Sequence, residues 1–128
     1  GKYAKFPPVR SYPKPIQQPG PPVLIGSRDK NALKRVAKWG DGWFPNRVDV
    51  PFMKEQLAIL KQECTAAGRD FKQLDITVMG AISGDRAQVQ DQLHQYAEAG
   101  VQRYVAGLGS FGPSEYKQPL AHLASLYV

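Results

Sequence analysis

The sequence predicts an α/β fold in which four strand–helix units form one parallel sheet. Short apolar runs alternate four times with stretches in which apolar residues recur every three or four positions. Glycine, proline and aspartate mark the boundaries between these runs. Strands that alternate with helices are joined by crossover connections, and such connections make neighbouring strands parallel.

The first 21 residues are interpreted as a basic, proline-rich connector. Seven of the eleven prolines fall within residues 1–22. Proline lacks an N–H group and drives the residue before it into an extended conformation, so this stretch is neither a helix nor a central strand. We expect the folded part of the chain to cover residues 22–128.

Strands and helices are expected to alternate from residue 22 onward. The strands are expected near 22–26, 41–45, 74–80 and 102–107. The helices between them are expected over about 28–39, 50–67 and 85–100, with a last helix near the C-terminus. Asp49 and Asp85 are predicted to cap the second and third helices, and Gly68 and Gly100 to end them. Pro119 is expected in the first turn of the last helix, because a helix interior does not tolerate proline.

The apolar residues of each helix keep helical spacing and are expected to face the sheet. In chain order these sets are Leu33, Val36 and Ala37; Met53, Leu57, Leu60, Cys64 and Ala67; Val89, Leu93, Tyr96 and Ala97; and Leu120, Leu123, Ala124 and Tyr127.

The formal net charge of +6 does not indicate a nucleic-acid-binding protein. Residues 1–30 contain six Lys and Arg and one acid, so +5 of the charge belongs to that leading segment. The remainder carries 11 basic and 10 acidic residues, without the aromatic platform or zinc-ligand spacing of a nucleic-acid module. No apolar run approaches the roughly 18 residues of a membrane span. We therefore expect neither a nucleic-acid nor a membrane partner.

The single cysteine, Cys64, excludes an internal disulfide framework and favours a reducing, cytoplasmic compartment. It lies on the apolar side of a helical pattern and is expected to be a buried structural thiol. The chain begins GKYAKF, without Met or a signal peptide, which indicates a processed or partial sequence.

Periodicity leaves two architectures open. One is a small, open, doubly wound domain, for which 128 residues is a suitable length. The other is half of a (β/α)8 barrel, a fold that typically takes about 250 residues. The alternation of strands and helices is the same in both.

An ordered set of motifs distinguishes the two. The segments PKPIQQPGPPVLIGS, GDGWFP, DITVMG and YAEAGVQRYVAGL, with the opening GKYAKFPPVRSYPKP, resemble the C-terminal half of the luciferase-like monooxygenase family. The similarity covers essentially the whole chain and points to members that use the deazaflavin coenzyme F-420. It implies the C-terminal half of a (β/α)8 TIM barrel, whose strands five to eight are the four predicted here. It also implies that the first four strands, which carry much of the flavin-ring site, are missing from this sequence.

A cofactor site is expected where the first strand ends. A strand that turns directly into a helix leaves backbone N–H groups at the positive end of the helix dipole, which suits a phosphate. The resemblance implies that Gly26, Ser27 and Arg28 hold the cofactor phosphate. Ser27 stands in place of the usual second glycine: it adds a hydroxyl, but a turn that needs positive φ there would be strained. The alternative is that Gly26 and Ser27 only cap the helix.

Trp43 is the fourth candidate for cofactor binding. The resemblance places it on the sixth barrel strand, from which it would point into the barrel mouth near the ring system or substrate. Without the resemblance, a tryptophan in a short strand is core packing. Asp41, just before it, is expected to be a turn residue, and no catalytic residue is identified.

The remaining polar candidates are interpreted as structural. His94 and His122 lie in helical patterns without partners at metal-ligand spacing, so no metal site is expected. Asp75 and Asp85 lie too far apart to form an acid–base pair. The loops containing Met79-Gly80 and Gly107-Leu108-Gly109 follow the last two strands, on the face where barrel active sites form. Their glycines either let a cofactor approach closely or are simple loop residues.

The sequence therefore predicts part of a luciferase-like oxidoreductase or monooxygenase. The parent enzyme is expected to use reduced coenzyme F-420, favoured over FMN, on a small organic substrate, while the protein supplies binding, orientation and electrostatics. The isolated chain is expected to be inactive and to form a homo-oligomer. The alternative is a non-catalytic, self-associating α/β half-barrel.

Overall fold

Four strands and four α-helices alternate in the part of the chain that the structure, a computed structural model, describes: residues 1–107 and 117–125. No helix or strand precedes residue 24. The elements are β1 Leu24–Ile25, α1 Lys30–Trp39, β2 Gly42–Trp43, α2 Val50–Ala66, a 3₁₀ turn Phe71–Gln73, β3 Asp75–Ala81, α3 Arg86–Glu98, β4 Arg103–Gly107 and α4 Lys117–Ser125.

The four strands form one sheet in the order β1-β2-β3-β4, and every pairing is parallel. The predicted fold class is thus confirmed. Strands β1 and β2 have only two residues each, fewer than predicted. Single hydrogen bonds extend this pairing past the strand ends, because Asp41 N–H donates to the Val23 carbonyl and Phe44 N–H to the Ile25 carbonyl.

The hydrophobic core lies between one face of the sheet and helices α1, α2 and α3. Trp43, Ile76 and Val78 contribute side chains that are almost or completely inaccessible to solvent. The helices contribute residues at the predicted spacing, which are Leu33, Val36, Ala37, Met53, Leu57, Leu60 and Cys64. The helical period therefore predicted the buried faces of α1 and α2 correctly, up to Cys64.

The helix caps also follow the prediction. The Asp49 carboxylate accepts the Phe52 N–H at 2.8 Å, and Asp85 forms a reciprocal capping box with Gln88 at 2.9 Å in each direction. Gly68 and Gly100 follow α2 and α3 with φ of +68° and +99°. Pro119 lies in the first turn of α4.

Four helix residues expected to face the sheet are exposed. Ala67 and Ala97 are exposed; Ala67 is the cap that ends α2, where the helical spacing stops. In α4, Leu120 and Ala124 are exposed and Leu123 is half-buried. Tyr127 lies outside the described residues. In α3 the prediction holds for Val89 and Tyr96, and Leu93 is half-buried.

The start of α1 differs from the prediction as well. The helix begins at Lys30, and Asp29 is its cap, with its carboxylate accepting the Asn31 N–H at 2.6 Å. Arg28 therefore lies in the turn before the helix.

No helix among the described residues is long and apolar enough to cross a membrane.

We predict that the 128-residue chain, studied by itself, forms a dimer or larger assembly. Strands β1 and β4 lie at the two edges of the sheet, and an edge strand presents unpaired N–H and C=O groups to other chains. Light scattering after size-exclusion chromatography measures the mass. A concentration-independent mass of one chain, 14.2 kDa, would contradict the prediction.

Candidate functional site at the carboxyl edge of the sheet

The carboxyl ends of the parallel strands lie at one edge of the sheet, and the segments that follow them form the candidate site. Residues 26–29 follow β1, residues 44–49 follow β2, residues 82–85 follow β3, and β4 ends at Gly107. In barrel and open α/β folds, ligands bind at this edge. All three sequence-predicted phosphate contacts, Gly26, Ser27 and Arg28, belong to it.

Ser27 adopts a backbone conformation that favours glycine. Its φ is +112°, so the turn after β1 does require a positive φ, and the strain expected of a serine there is present. Two hydrogen bonds fix the residue: its hydroxyl accepts the Asp29 N–H at 3.1 Å, and its carbonyl accepts the Trp43 indole N–H at 3.0 Å. The strained turn is therefore held by the following helix and by the neighbouring strand.

The turn presents donors and a positive charge to solvent. Gly26, Ser27 and Arg28 are all exposed. Within the described residues, the N–H groups of Ser27 and Arg28 donate to no protein acceptor. The Arg28 guanidinium lies over the Phe52 ring, 5.1 Å from its centroid, which orients it beside the turn. This set of groups can bind an anion.

The Asp29 carboxylate limits how an anion can be placed. As the cap of α1 it already satisfies the Asn31 N–H, and its charge repels an anion at the helix axis. A phosphate would therefore use the amides of Ser27 and Arg28 and the Arg28 side chain. It would not use the first turn of the helix.

Trp43 does not point into the mouth, so its expected orientation was wrong. Its side chain is fully buried and belongs to the core. The register places it beside Ile25 and Ile76, and neighbouring residues in register share one sheet face. Ile25 lies against Gly40 at the end of α1, so this is the face covered by helices. Val78 is buried in the same core, and Leu24 is half-buried.

The segment after β2 contains two site residues that the sequence analysis missed, Asn46 and Arg47. Arg47 has φ +50°, and its N–H donates to the Met79 carbonyl at 2.8 Å. Asn46 forms a bridge with Met79, which extends the β2–β3 pairing past Trp43. The available signal was a basic residue in the segment that follows a strand at the ligand-binding edge.

Tyr96 holds this segment from the helix side. Its hydroxyl donates to the Val48 carbonyl at 2.6 Å in a buried position. Burial raises the pKa of Tyr96 above its ordinary value, and the nearby Asp49 charge raises it further. The neutral tyrosine therefore fixes the backbone one residue after Arg47.

A groove of about 160 Å³ opens between the ends of β2, β3 and β4. It is lined by Asn46, Arg47, Met79, Gly80, Ala81 and Gly107. The predicted loop residues Met79, Gly80 and Gly107 thus lie at the expected edge, whereas Leu108 and Gly109 lie outside the described residues. A side chain at Gly80 would collide with the Tyr104 hydroxyl, so packing already explains that glycine.

The other candidates have structural surroundings. Cys64 is fully buried, and burial raises the pKa of its thiol. His94 forms an exposed pair with Glu98 at 3.3 Å, and Asp75 pairs with Arg103 at 3.2 Å. Among residues 1–107 and 117–125, no group of His, Cys, Asp and Glu could hold a metal ion.

We predict that Ser27→Gly gives a more stable chain than Ser27→Ala, by about 1 kcal/mol. Both variants lose the hydroxyl that accepts the Asp29 N–H, and only alanine keeps the Cβ that strains a φ of +112°. Urea unfolding at one fixed chain concentration, followed by tryptophan fluorescence, measures the difference. Equal stability of the two variants would show that the turn is not strained.

We predict that Tyr96→Phe lowers the free energy of unfolding by about 1–3 kcal/mol, because the buried Val48 carbonyl loses its donor. The folded-state pKa of Tyr96 is raised. Its contribution to the free energy of unfolding is therefore fully present below the unfolded-state pKa of about 10, and it is lost as pH rises through the folded-state pKa. Urea unfolding from about pH 7 to 11 should show a steeper alkaline decline for the native chain. Parallel pH profiles for the two chains would contradict this role.

Comparisons with known proteins agree with this geometry. The sequence profile of the luciferase-like monooxygenase family matches residues 1–83. An uncharacterized protein of Mycobacterium tuberculosis H37Rv is 34% identical over 110 residues, which is 84% of this chain and 36% of that protein. An uncharacterized protein of Mycobacterium bovis matches with the same values. The chain thus spans about a third of the length of these relatives.

A solved structure shows the same fold. The coenzyme F-420-dependent tetrahydromethanopterin reductase of Methanopyrus kandleri superposes with a TM-score of 0.73 at 15% identity, covering 93% of this chain and 54% of that one. The four parallel strands correspond to about half of that enzyme, as a half-barrel would. On the family match and this shared fold, the chain belongs to the luciferase-like monooxygenase family.

Proposed function

We propose that this chain forms the phosphate-binding half of an oxidoreductase that acts on a small organic substrate with a reduced deazaflavin or flavin cofactor. Coenzyme F-420 is favoured over FMN, since the similar fold of the Methanopyrus kandleri reductase belongs to an F-420-dependent enzyme. The observation that carries the proposal is the turn at Ser27, with its φ of +112° and its exposed amides beside Arg28.

The proposed role of the turn follows from its conformation. Strained backbone persists where surrounding structure holds it, and it is concentrated at ligand-binding sites. The Ser27 and Arg28 N–H groups and the Arg28 guanidinium are donors suited to a phosphate, and hydrogen bonds to a charged acceptor are the stronger kind. Trp43 positions this turn through its bond to the Ser27 carbonyl and does not contact the cofactor.

When bound, the cofactor supplies the hydride or oxygen chemistry. The residues of this chain bind and orient it. The β1 turn holds its phosphate end, and the fixed segment after β2 lines the same edge of the sheet. We propose that residues 1–21 are a connector and that residues 22–128 form the half-barrel. A cytoplasmic location is proposed on the single buried cysteine.

The isolated chain is expected to show negligible turnover. The reductase with the same fold is about twice as large, as the 54% coverage shows. If the other half of a barrel carries the ring-binding groups, much of the transition-state binding is absent from this chain.

A second candidate function is a non-catalytic, self-associating half-barrel. The observation in its favour is the uncovered apolar surface of α4, where Leu120 is 51% exposed, together with the unpaired strand edges. The two candidates differ in cofactor binding. A protein that contains these 128 residues, assembles stably and binds neither F-420 nor FMN would favour the second.

The proposal predicts that Ser27→Asp weakens cofactor binding by about 1–3 kcal/mol, because it places a carboxylate, a like charge, beside the phosphate. The test uses the longest natural protein that contains this chain. Cofactor fluorescence measures the dissociation constant.

Ser11→Asp is the matched control, since it adds the same charge on the exposed connector. It should leave the dissociation constant unchanged. Unchanged affinity in Ser27→Asp as well would remove the β1 turn from the cofactor site.

A further inference from the structure

We propose that Arg47 binds an anionic group, a carboxylate or phosphate, of a molecule held in the groove at the ends of β2, β3 and β4. The inference rests on the proposed function only in assigning that group to the substrate or the cofactor. The site itself is defined by the charge, position and surroundings of Arg47.

The backbone of Arg47 is fixed from three sides. Its own N–H donates to the Met79 carbonyl at 2.8 Å, and the Met79 N–H donates to the Pro45 carbonyl at 3.3 Å. One residue after Arg47, the Val48 carbonyl accepts a hydrogen bond from the Tyr96 hydroxyl at 2.6 Å. A left-handed conformation is uncommon for arginine, and these bonds keep it there. Arg47, which lines the groove, is therefore carried by a fixed stretch of backbone.

The acidic residues at this edge leave the Arg47 guanidinium available to bind an anion. The acids at this edge, Asp29, Asp49 and Asp85, each accept a backbone N–H as helix caps, so each carboxylate is held at a helix end although it keeps its negative charge. Among the described residues, no carboxylate forms an ion pair with Arg47. Arg47 is also exposed, so its guanidinium can meet a ligand without first breaking a salt bridge.

The groove suits a small anion. Its volume of about 160 Å³ accommodates a carboxylate or phosphate group with a few attached atoms. Asn46, whose side chain carries an amide donor, also lines the groove. A guanidinium binds such groups through two parallel hydrogen bonds, which gives directional recognition.

This anion differs from the phosphate proposed at the β1 turn. Neighbouring strands lie about 4.8 Å apart, so the groove at β2 to β4 lies roughly 5–15 Å from the end of β1. A single phosphate group is too small to contact both positions over most of this range of distances. The group at Arg47 therefore belongs to a second molecule, the substrate, or to a remote anionic part of the cofactor.

The test is a titration of the isotope-labelled 128-residue chain with inorganic phosphate, and separately with acetate, followed by NMR. The resonances observed are the Arg47 side-chain N–H and the backbone amides of Gly80 and Gly107. We expect saturable shifts at all three. Absence of saturable shifts in the native chain would overturn the proposal without any variant.

Three variants test whether the Arg47 side chain is responsible for anion binding. Arg47→Asn removes the charge and keeps a residue that tolerates the left-handed conformation, and it should weaken binding about tenfold or more. Arg47→Lys keeps the charge but loses the paired hydrogen bonds, so it should bind more weakly than the native chain and more tightly than Arg47→Asn. Arg10→Asn is the matched control on the connector and should change nothing. Equal binding by the native chain and Arg47→Asn would overturn the proposal.

Saturation with F-420, confirmed by its own fluorescence, distinguishes the two sources of the anion. If phosphate still shifts Arg47 in the saturated protein, the site belongs to the substrate; if the shift disappears, it belongs to the cofactor. This F-420 experiment uses the longest natural protein that contains this chain. If F-420 does not bind there, the proposed function fails, while the anion titration of the 128-residue chain still decides the role of Arg47.

Discussion

The hydrogen bond from the Trp43 indole to the Ser27 carbonyl joins the core of this protein to its candidate site. Trp43 is fully buried, so water does not compete for its N–H group. Burying the indole N–H without an acceptor would lower the stability of the fold. The Ser27 carbonyl can accept this hydrogen bond only when the β1 turn has its present shape. The positive φ of Ser27 is therefore maintained by packing in the core between the sheet and the helices.

The same arrangement recurs at the next strand. Arg47 also has a positive φ, and a buried hydroxyl, that of Tyr96, holds the backbone beside it. In both places a large core side chain uses its polar end to fix an exposed turn at the carboxyl edge. The core thus does more than stabilise the fold, because it determines which backbone and side-chain donors the edge presents. Two arginines, Arg28 and Arg47, lie on the turns that are fixed in this way.

Sequence patterns predicted the elements and their caps because those depend on local chemistry, as Asp49 and Asp85 show. The orientation of Trp43 was not predictable, since the alternation of faces cannot be assigned in a strand of two residues. Arg47 was missed because its position depends on a long-range bond to Met79. The apolar pattern of α4 predicted burial, but whether Leu120 is buried depends on a neighbour that the pattern does not specify.

The central claim is that ligands bind at the carboxyl edge, beginning with the turn that Trp43 holds. Hydrogen–deuterium exchange with and without saturating F-420, in the longest natural protein that contains this chain, tests it most directly. The account predicts slower exchange at the amides of Ser27 and Arg28. Protection confined to the amino edge, at the groove of about 430 Å³ that Pro22, Trp39 and Asp41 help to line, would contradict it.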